Sequence, residues 1–163
     1  MLNGHAVKHL VDVRTVPRSR HNPQYNREEL AAALERGDLH YSHMPGLGGL
    51  RKPRKDALTN LGWRNLNFRG YADYMQTPEF AGQLQDLVAM AALEQVAIMC
   101  AEAVPWRCHR SLIADALLAL DVEAAEIVST NRISLFTLHP WAQVNGTQVS
   151  YPALPLVSSE TDR

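Results

Sequence analysis

Short apolar runs alternate along this chain with stretches of helical periodicity, and that alternation restricts the possible folds more than any other feature. Val7-Lys-His-Leu-Val-Asp-Val13 is rich in Val and Leu and stops at Arg14, ahead of Pro17, as a buried strand does. Asn26 then precedes Arg27 to Arg36, which predicts a helix capped by Asn26, with Glu28 and Glu29 in its first turn and Gly37 as its stop. Leu39 to Met44 reads as a second strand, followed by an irregular, exposed segment holding Pro45 to Gly49 and the basic Arg51-Lys-Pro-Arg-Lys55. Thr77 and Pro78 supply a hydroxyl cap and a first-turn proline, and Phe80, Leu84, Leu87, Val88 and Ala91 follow at helical spacing. Gln95 to Cys100 is a third strand, the helix after Cys108 carries Leu112, Ile113, Ala116, Leu117 and Leu120 inward, and Glu123 to Val128 is a fourth strand.

Such βα alternation predicts an α/β fold, a mostly parallel sheet flanked by helices on both faces. Ala142 to Tyr151, with the Asn145-Gly146 pair between alternating segments, adds a C-terminal hairpin. At 163 residues the chain fits one domain that buries about two thirds of its unfolded surface. Residues 1–154 are expected to form that domain, and 155–163 a loose tail.

No stretch approaches the ~20 apolar residues of a membrane span, and Met1 to His5 lacks the apolar region of a secretory leader. Two cysteines flanking one loop make a poor disulfide framework, so a reducing cytoplasm is the expected setting. The net charge of −1 conceals a division. Arg14 to Arg69 holds eleven Lys or Arg against five acids, and the remainder five against twelve. A basic part of this kind suits an anionic ligand, a nucleotide or a nucleic acid, or is a solvated face balanced by acidic helices elsewhere.

Parallel sheets bind ligands beyond the carboxyl ends of their strands, and polar chemistry gathers there. Asp12 and Arg14 end the first strand, with Arg18 and Arg20 in the loop beyond; Cys100 and Glu102 end the third. Both cysteines lie in Cys100-Ala-Glu-Ala-Val-Pro-Trp-Arg-Cys-His-Arg110. Cys108, at a helix start with Arg107, His109 and Arg110 beside it, sits where a thiolate is favoured and a nucleophile would be activated. The structural reading is a buried cysteine, with Arg110 paired to Glu102 or Asp12. Cys100 reads as a small buried hydrophobe. No metal is expected, because the adjacent Cys108 and His109 cannot easily face one ion and no CxxC pair completes a zinc set. A phosphatase-type loop also fails: six positions beyond Cys100 stands Trp106 instead of an arginine, and the loop has no glycine.

Guanidiniums at Arg14, Arg18 and Arg20 suit bidentate capture of phosphate or carboxylate. Phe68-Arg-Gly-Tyr-Ala-Asp-Tyr74 repeats that mixture ahead of a helix, with Arg69 and Tyr71 as ligand-binding candidates or as a structural aromatic corner. His139 reads as structural.

Val11-Asp-Val-Arg14, Pro17-Arg-Ser-Arg20, Asn22-Pro-Gln-Tyr-Asn26, Phe68-Arg-Gly-Tyr71, Met75, Cys100-Ala-Glu102 and Cys108-His-Arg110 stand in order. In this the chain closely resembles a bacterial domain-of-unknown-function family, DUF488, from about His5 to Pro152. The resemblance implies an α/β fold with these motifs around one cleft and no assigned reaction. Members usually begin with a strand and helix ahead of the Val-Asp-Val-Arg strand, which Met1 to Ala6 is too short to supply. The chain is therefore expected to be shortened or to start too late, with an exposed sheet edge that favours self-association.

The function expected is an enzyme with a cleft for a phosphate-bearing or nucleotide-like ligand. Arg14, Arg18, Arg20, Arg69 and Arg110 would bind charge with Asp12 beside them, Tyr71 would pack on the ligand, Cys108 would supply a thiolate, and Glu102 or His109 would move protons. The alternative is a non-enzymatic nucleic-acid or regulatory module built on Arg51 to Lys55. No cofactor is evident.

Overall fold

A computed structural model describes residues 1–104 and 107–153; the expected tail at 155–163 lies outside them. Three parallel strands, β1 (His9–Asp12), β2 (His40–His43) and β3 (Val96–Met99), form a sheet of order β2-β1-β3. Four helices, α1 (Arg27–Glu35), α2 (Leu66–Tyr74), α3 (Pro78–Leu93) and α4 (Arg110–Leu118), lie between and after them. The fold is mixed α/β. The central strand β1 is buried at every residue, and its period-two alternation sorts its side chains. Val11 joins Leu84 and Leu87 of α3 and Leu112 and Ile113 of α4 in the larger apolar cluster, while Leu10 joins Leu30 and Leu34 of α1 in a second.

The helix boundaries follow local chemistry with instructive deviations. Thr77 caps α3, its Oγ1 accepting from Phe80 N–H at 3.2 Å. Asn26 occupies the N-cap position of α1, but its Oδ1 accepts from Ser19 N–H at 2.8 Å instead of capping the helix. Gly37 is not the left-handed stop. Asp38 takes that conformation, φ 58°, as Leu39 N–H bonds back to Leu34 at 3.0 Å; an aspartate tolerates the αL region better than most residues. The Phe68 to Tyr74 stretch, expected to precede a helix, is itself helical because Asn65 Oδ1 accepts from Asn67 and Phe68 N–H.

The fourth strand corrects the expectation of a longer parallel sheet. β4 (Ala125–Ser129) pairs antiparallel with β5 (Arg132–Leu135) in a separate hairpin. A tight turn at Thr130–Asn131 joins them, and a connection that short cannot make a parallel crossover. The C-terminal hairpin is present as β6 (Gln143–Asn145) and β7 (Gln148–Ser150). Its register opposes Asn145 to Gln148, so the turn residues are Gly146 and Thr147, one position later than the Asn-Gly pair suggested. Gly146 alone has positive φ there, 61°, the requirement of a turn with glycine at its first central position. Met1 to Ala6 supplies one 3-10 turn, Leu2–His5.

Candidate functional site

Parallel register brings Asp12 level with His43 and Met99, so the segments after all three strands leave the sheet on one rim. Asp12 is fully buried and Arg14, two residues on, leans back over it. Arg14 Nε lies 2.8 Å from Oδ1 and Nη2 2.5 Å from Oδ2; Arg14 N–H and Tyr41 O–H also donate to the carboxylate, at 3.0 and 2.8 Å. Burial works against ionisation of Asp12, but these donors outweigh it and hold the carboxyl below its usual value. The Asp12 bonds raise Arg14 in turn, and Arg14 Nη2 also donates to the Tyr25 carbonyl at 2.8 Å. Arg14 thus fastens the following loop, from which Arg18 and Arg20 present exposed side chains.

Across the rim, Cys100 follows β3 and Cys108 precedes α4. Their sulfurs lie 2.8 Å apart. Cys108 is buried and Cys100 half-buried, both as free cysteines. Cys108 Sγ accepts from Arg110 Nε at 3.1 Å and Arg110 N–H at 3.5 Å, where α4 begins. The Cys100 hydrogen bond holds the Cys108 thiol far below its ordinary value, to about 3, against a contrary push from burial and with further help from His109 and Arg110. Cys100 moves the other way, upward, chiefly through its hydrogen bond with Cys108 and then through its own burial. Both shifts favour the proton on Cys100 and the charge on Cys108.

Arg110 Nη2 donates to the Glu102 carbonyl at 2.7 Å. The Glu102 carboxylate accepts from Val104 N–H at 3.3 Å, and Glu102 N–H donates to Cys100 Sγ at 3.2 Å. Arg110 is thus tied to the backbone of Glu102, not to its carboxylate, and not to Asp12. Adjacency does not turn Cys108 and His109 apart, correcting that expectation: ligand atoms of Cys100, Cys108 and His109 all lie within 4.8 Å of one another. A cation among them would face the Arg110 guanidinium beside Cys108.

His109 is wedged in place. Its ring centroid lies 5.1 Å from that of Tyr71, and a Cβ on Gly49 would come within 2.5 Å of its Nδ1. Only glycine lets the backbone at position 49 approach so closely. Tyr71 itself is fully buried, with its hydroxyl donating to Leu47 O at 2.9 Å. Arg69, one position before Gly70 on α2, donates from Nη2 to the Ala57 carbonyl at 3.3 Å. Neither Tyr71 nor Arg69 offers its polar group to the thiol pair. An open groove of about 630 Å³ beside β2 and α3 is lined by Glu79, Gln83, Asp86 and His43, not by the arginines.

Several groups escaped the sequence reading. Cys100 is half of the thiol pair, a role its position at the end of an apolar strand concealed. Asp115, fully buried on α4, accepts from the Tyr151 hydroxyl at 2.6 Å and lies 2.6 Å from His139 Nδ1, making His139 part of a buried polar cluster. The glycines at 48 and 49 were visible only as an irregular segment.

No helix among the described residues is long and apolar enough to cross a membrane. Among curated proteins and solved structures, none matches the chain. One family model does, over residues 1–117, which takes in both thiols, Arg14, Arg69 and Arg110 and stops short of the Pro152 expected from the motifs. The chain belongs to the DUF488 family, a domain of unknown function.

Proposed function

We propose that the chain is an enzyme whose Cys100–Cys108 pair performs thiol chemistry on an anionic ligand, phosphate-bearing or nucleotide-like, at the carboxyl rim of the sheet. The observation that carries this reading is the 2.8 Å approach of the two sulfurs with Arg110 Nε 3.1 Å from one of them. A thiolate held by a guanidinium and a helix start is ionised at neutral pH and nucleophilic. Attack through either sulfur leaves the shared proton on the other; Cys108 carries the charge and half-buried Cys100 is the more open. His109 and Glu102 are the nearby groups able to move protons.

We take the sheet as covered by α1 on one face and by α3 and α4 on the other, which leaves this rim as the open side. Exposed Arg18 and Arg20 would receive the anion, with Asp12 and Arg14 fixing their loop, Tyr71 orienting His109, and Arg69 holding the backbone at Ala57 against α2. A dithiol of this kind suits a reducing, cytoplasmic setting, and the edges of a three-stranded sheet suit self-association. The reading as a nucleic-acid module is disfavoured by Arg51. Its guanidinium lies 3.6 Å over the Tyr74 ring and donates to the Gly46 and Gly48 carbonyls, so it is spent internally.

Reduced protein is to be treated with iodoacetate and with iodoacetamide, and the modified cysteine located by peptide mass. Modification within the pair should persist well below the pH of about 8.5 at which an ordinary thiol ionises. Iodoacetate should be favoured, and Arg18→Ala with Arg20→Ala should remove the preference. Thiols that react only in the ordinary pH range would overturn the thiol enzyme; equal rates with both reagents would overturn the anion site.

A further inference from the structure

At the opposite, amino-terminal rim of the same sheet a second cluster stands apart from the thiols. The β1–β2 register places His9 beside His40, with ring centroids 5.6 Å apart in an edge-to-face arrangement. Glu94, where α3 ends and just ahead of β3, reaches both. His9 Nδ1 lies 2.9 Å from Glu94 Oε1, and His40 Nδ1 lies 3.1 Å from each carboxylate oxygen. One ligand atom from each of the three side chains falls within 4.8 Å of the other two.

We propose that His9, His40 and Glu94 form a binding site for a divalent transition-metal ion of the zinc type, with solvent completing the coordination. Donors placed 2.0–2.2 Å from one tetrahedral ion stand about 3.3 Å from each other, close to the separations already present between the imidazole nitrogens and the carboxylate. Two imidazoles with one carboxylate select zinc, cobalt, nickel or iron over magnesium and calcium. The supporting contact that metal-bound histidines ordinarily have is in place: His9 Nε2 lies 2.8 Å from Ser42 Oγ. With an ion on Nδ1, the His9 proton resides on Nε2 and is donated to Ser42, fixing the tautomer and the ring plane.

Three of the ligand positions a tetrahedral ion needs come from protein, and His40, 71% exposed at its side chain, leaves the site open to water. An ion there would clamp the starts of β1 and β2 to the α3–β3 junction, segments far apart in sequence. It would stabilise the fold by binding the folded chain alone.

The test titrates Zn²⁺ calorimetrically into chelator-treated, reduced wild type and into Cys108→Ser, which removes the thiol pair as a competitor. Both should bind Zn²⁺ and gain thermal stability from it. In the Cys108→Ser background, His40→Ala and Glu94→Gln should weaken binding by about 100-fold or more, and Ser42→Ala by about 10-fold, the range seen on losing an outer-shell partner. His40 is exposed, so its alanine variant tests the site without disturbing the core. Unaltered affinity in His40→Ala and Glu94→Gln would overturn the proposal, as would Zn²⁺ binding that disappears with Cys108 alone.

Discussion

Cys100 Sγ and Cys108 Sγ share a hydrogen bond across 2.8 Å, joining the end of a central-sheet strand to the start of α4. Arg110 Nε lies 3.1 Å from the Cys108 sulfur, an arrangement that favours the charge on Cys108 and the proton on Cys100.

Treatment with hydrogen peroxide should therefore give an intramolecular disulfide. The Cys108 thiolate attacks one peroxide oxygen, breaking the O–O bond to give a sulfenic acid, and hydroxide leaves as water after protonation. The Cys100 thiol then attacks that sulfur and expels a second water, so peroxide is the electron acceptor for both thiols. Intact mass should show the loss of two hydrogens, reversed by dithiothreitol. In Cys100→Ser the oxidation should proceed to sulfinic acid, because no resolving thiol is in reach.

The Asp12–Arg14 pair predicts a specific acid sensitivity. Asp12 titrates below its ordinary value in the folded chain, so its contribution is fully present above the unfolded pKa of about 3.9 and is lost as pH falls through the lower folded value. Urea unfolding followed at a series of pH values should show that acid loss, and Asp12→Asn should flatten it. Arg14→Met should cost about 3–5 kcal/mol at neutral pH by leaving a buried carboxylate without its guanidinium.

Much of this arrangement was legible, and the parts that were not have physical reasons. Thr77-Pro78 fixes the start of α3 through bonds within one turn, and the βα alternation located β1, β2 and β3, because both signals are local. The pairing of β4 depends on the next strand, Arg132–Leu135, whose polar–apolar alternation runs over only four residues, too short to fix a partner. The sequence offers Arg14 as an anion binder, although alternation along an extended chain puts residues 12 and 14 on one side and makes an internal pair natural. Tyr71 suits a ligand by residue type, but its spacing on α2 turns it into the core, a choice set by which helix face packs inward. Cys100 and Cys108 were visibly close in sequence; only the fold says that the intervening loop returns one sulfur onto the other.

The Asp115 cluster should prove structural. Asp115→Ala strips the Tyr151 hydroxyl and His139 Nδ1 of their shared acceptor and should lower stability by about 3 kcal/mol, the upper end for hydrogen bonds to a charged group. Tyr151→Phe should cost less, since His139 keeps its partner. Denaturant unfolding checks both, and in Tyr151→Phe the ionisation of the thiol pair should stay as it is in wild type.

Ionisation of Cys108 is read most directly from the ultraviolet absorbance of the thiolate, recorded against pH as wild type minus Cys108→Ser. One thiolate should be present throughout the neutral range, with its midpoint several pH units below the ~8.5 of a free cysteine. Arg110→Met should raise that midpoint by about 1–2 units, the equivalent of one hydrogen bond to a charged group. A wild-type midpoint at or above that of free cysteine would contradict a charged thiol pair at this rim.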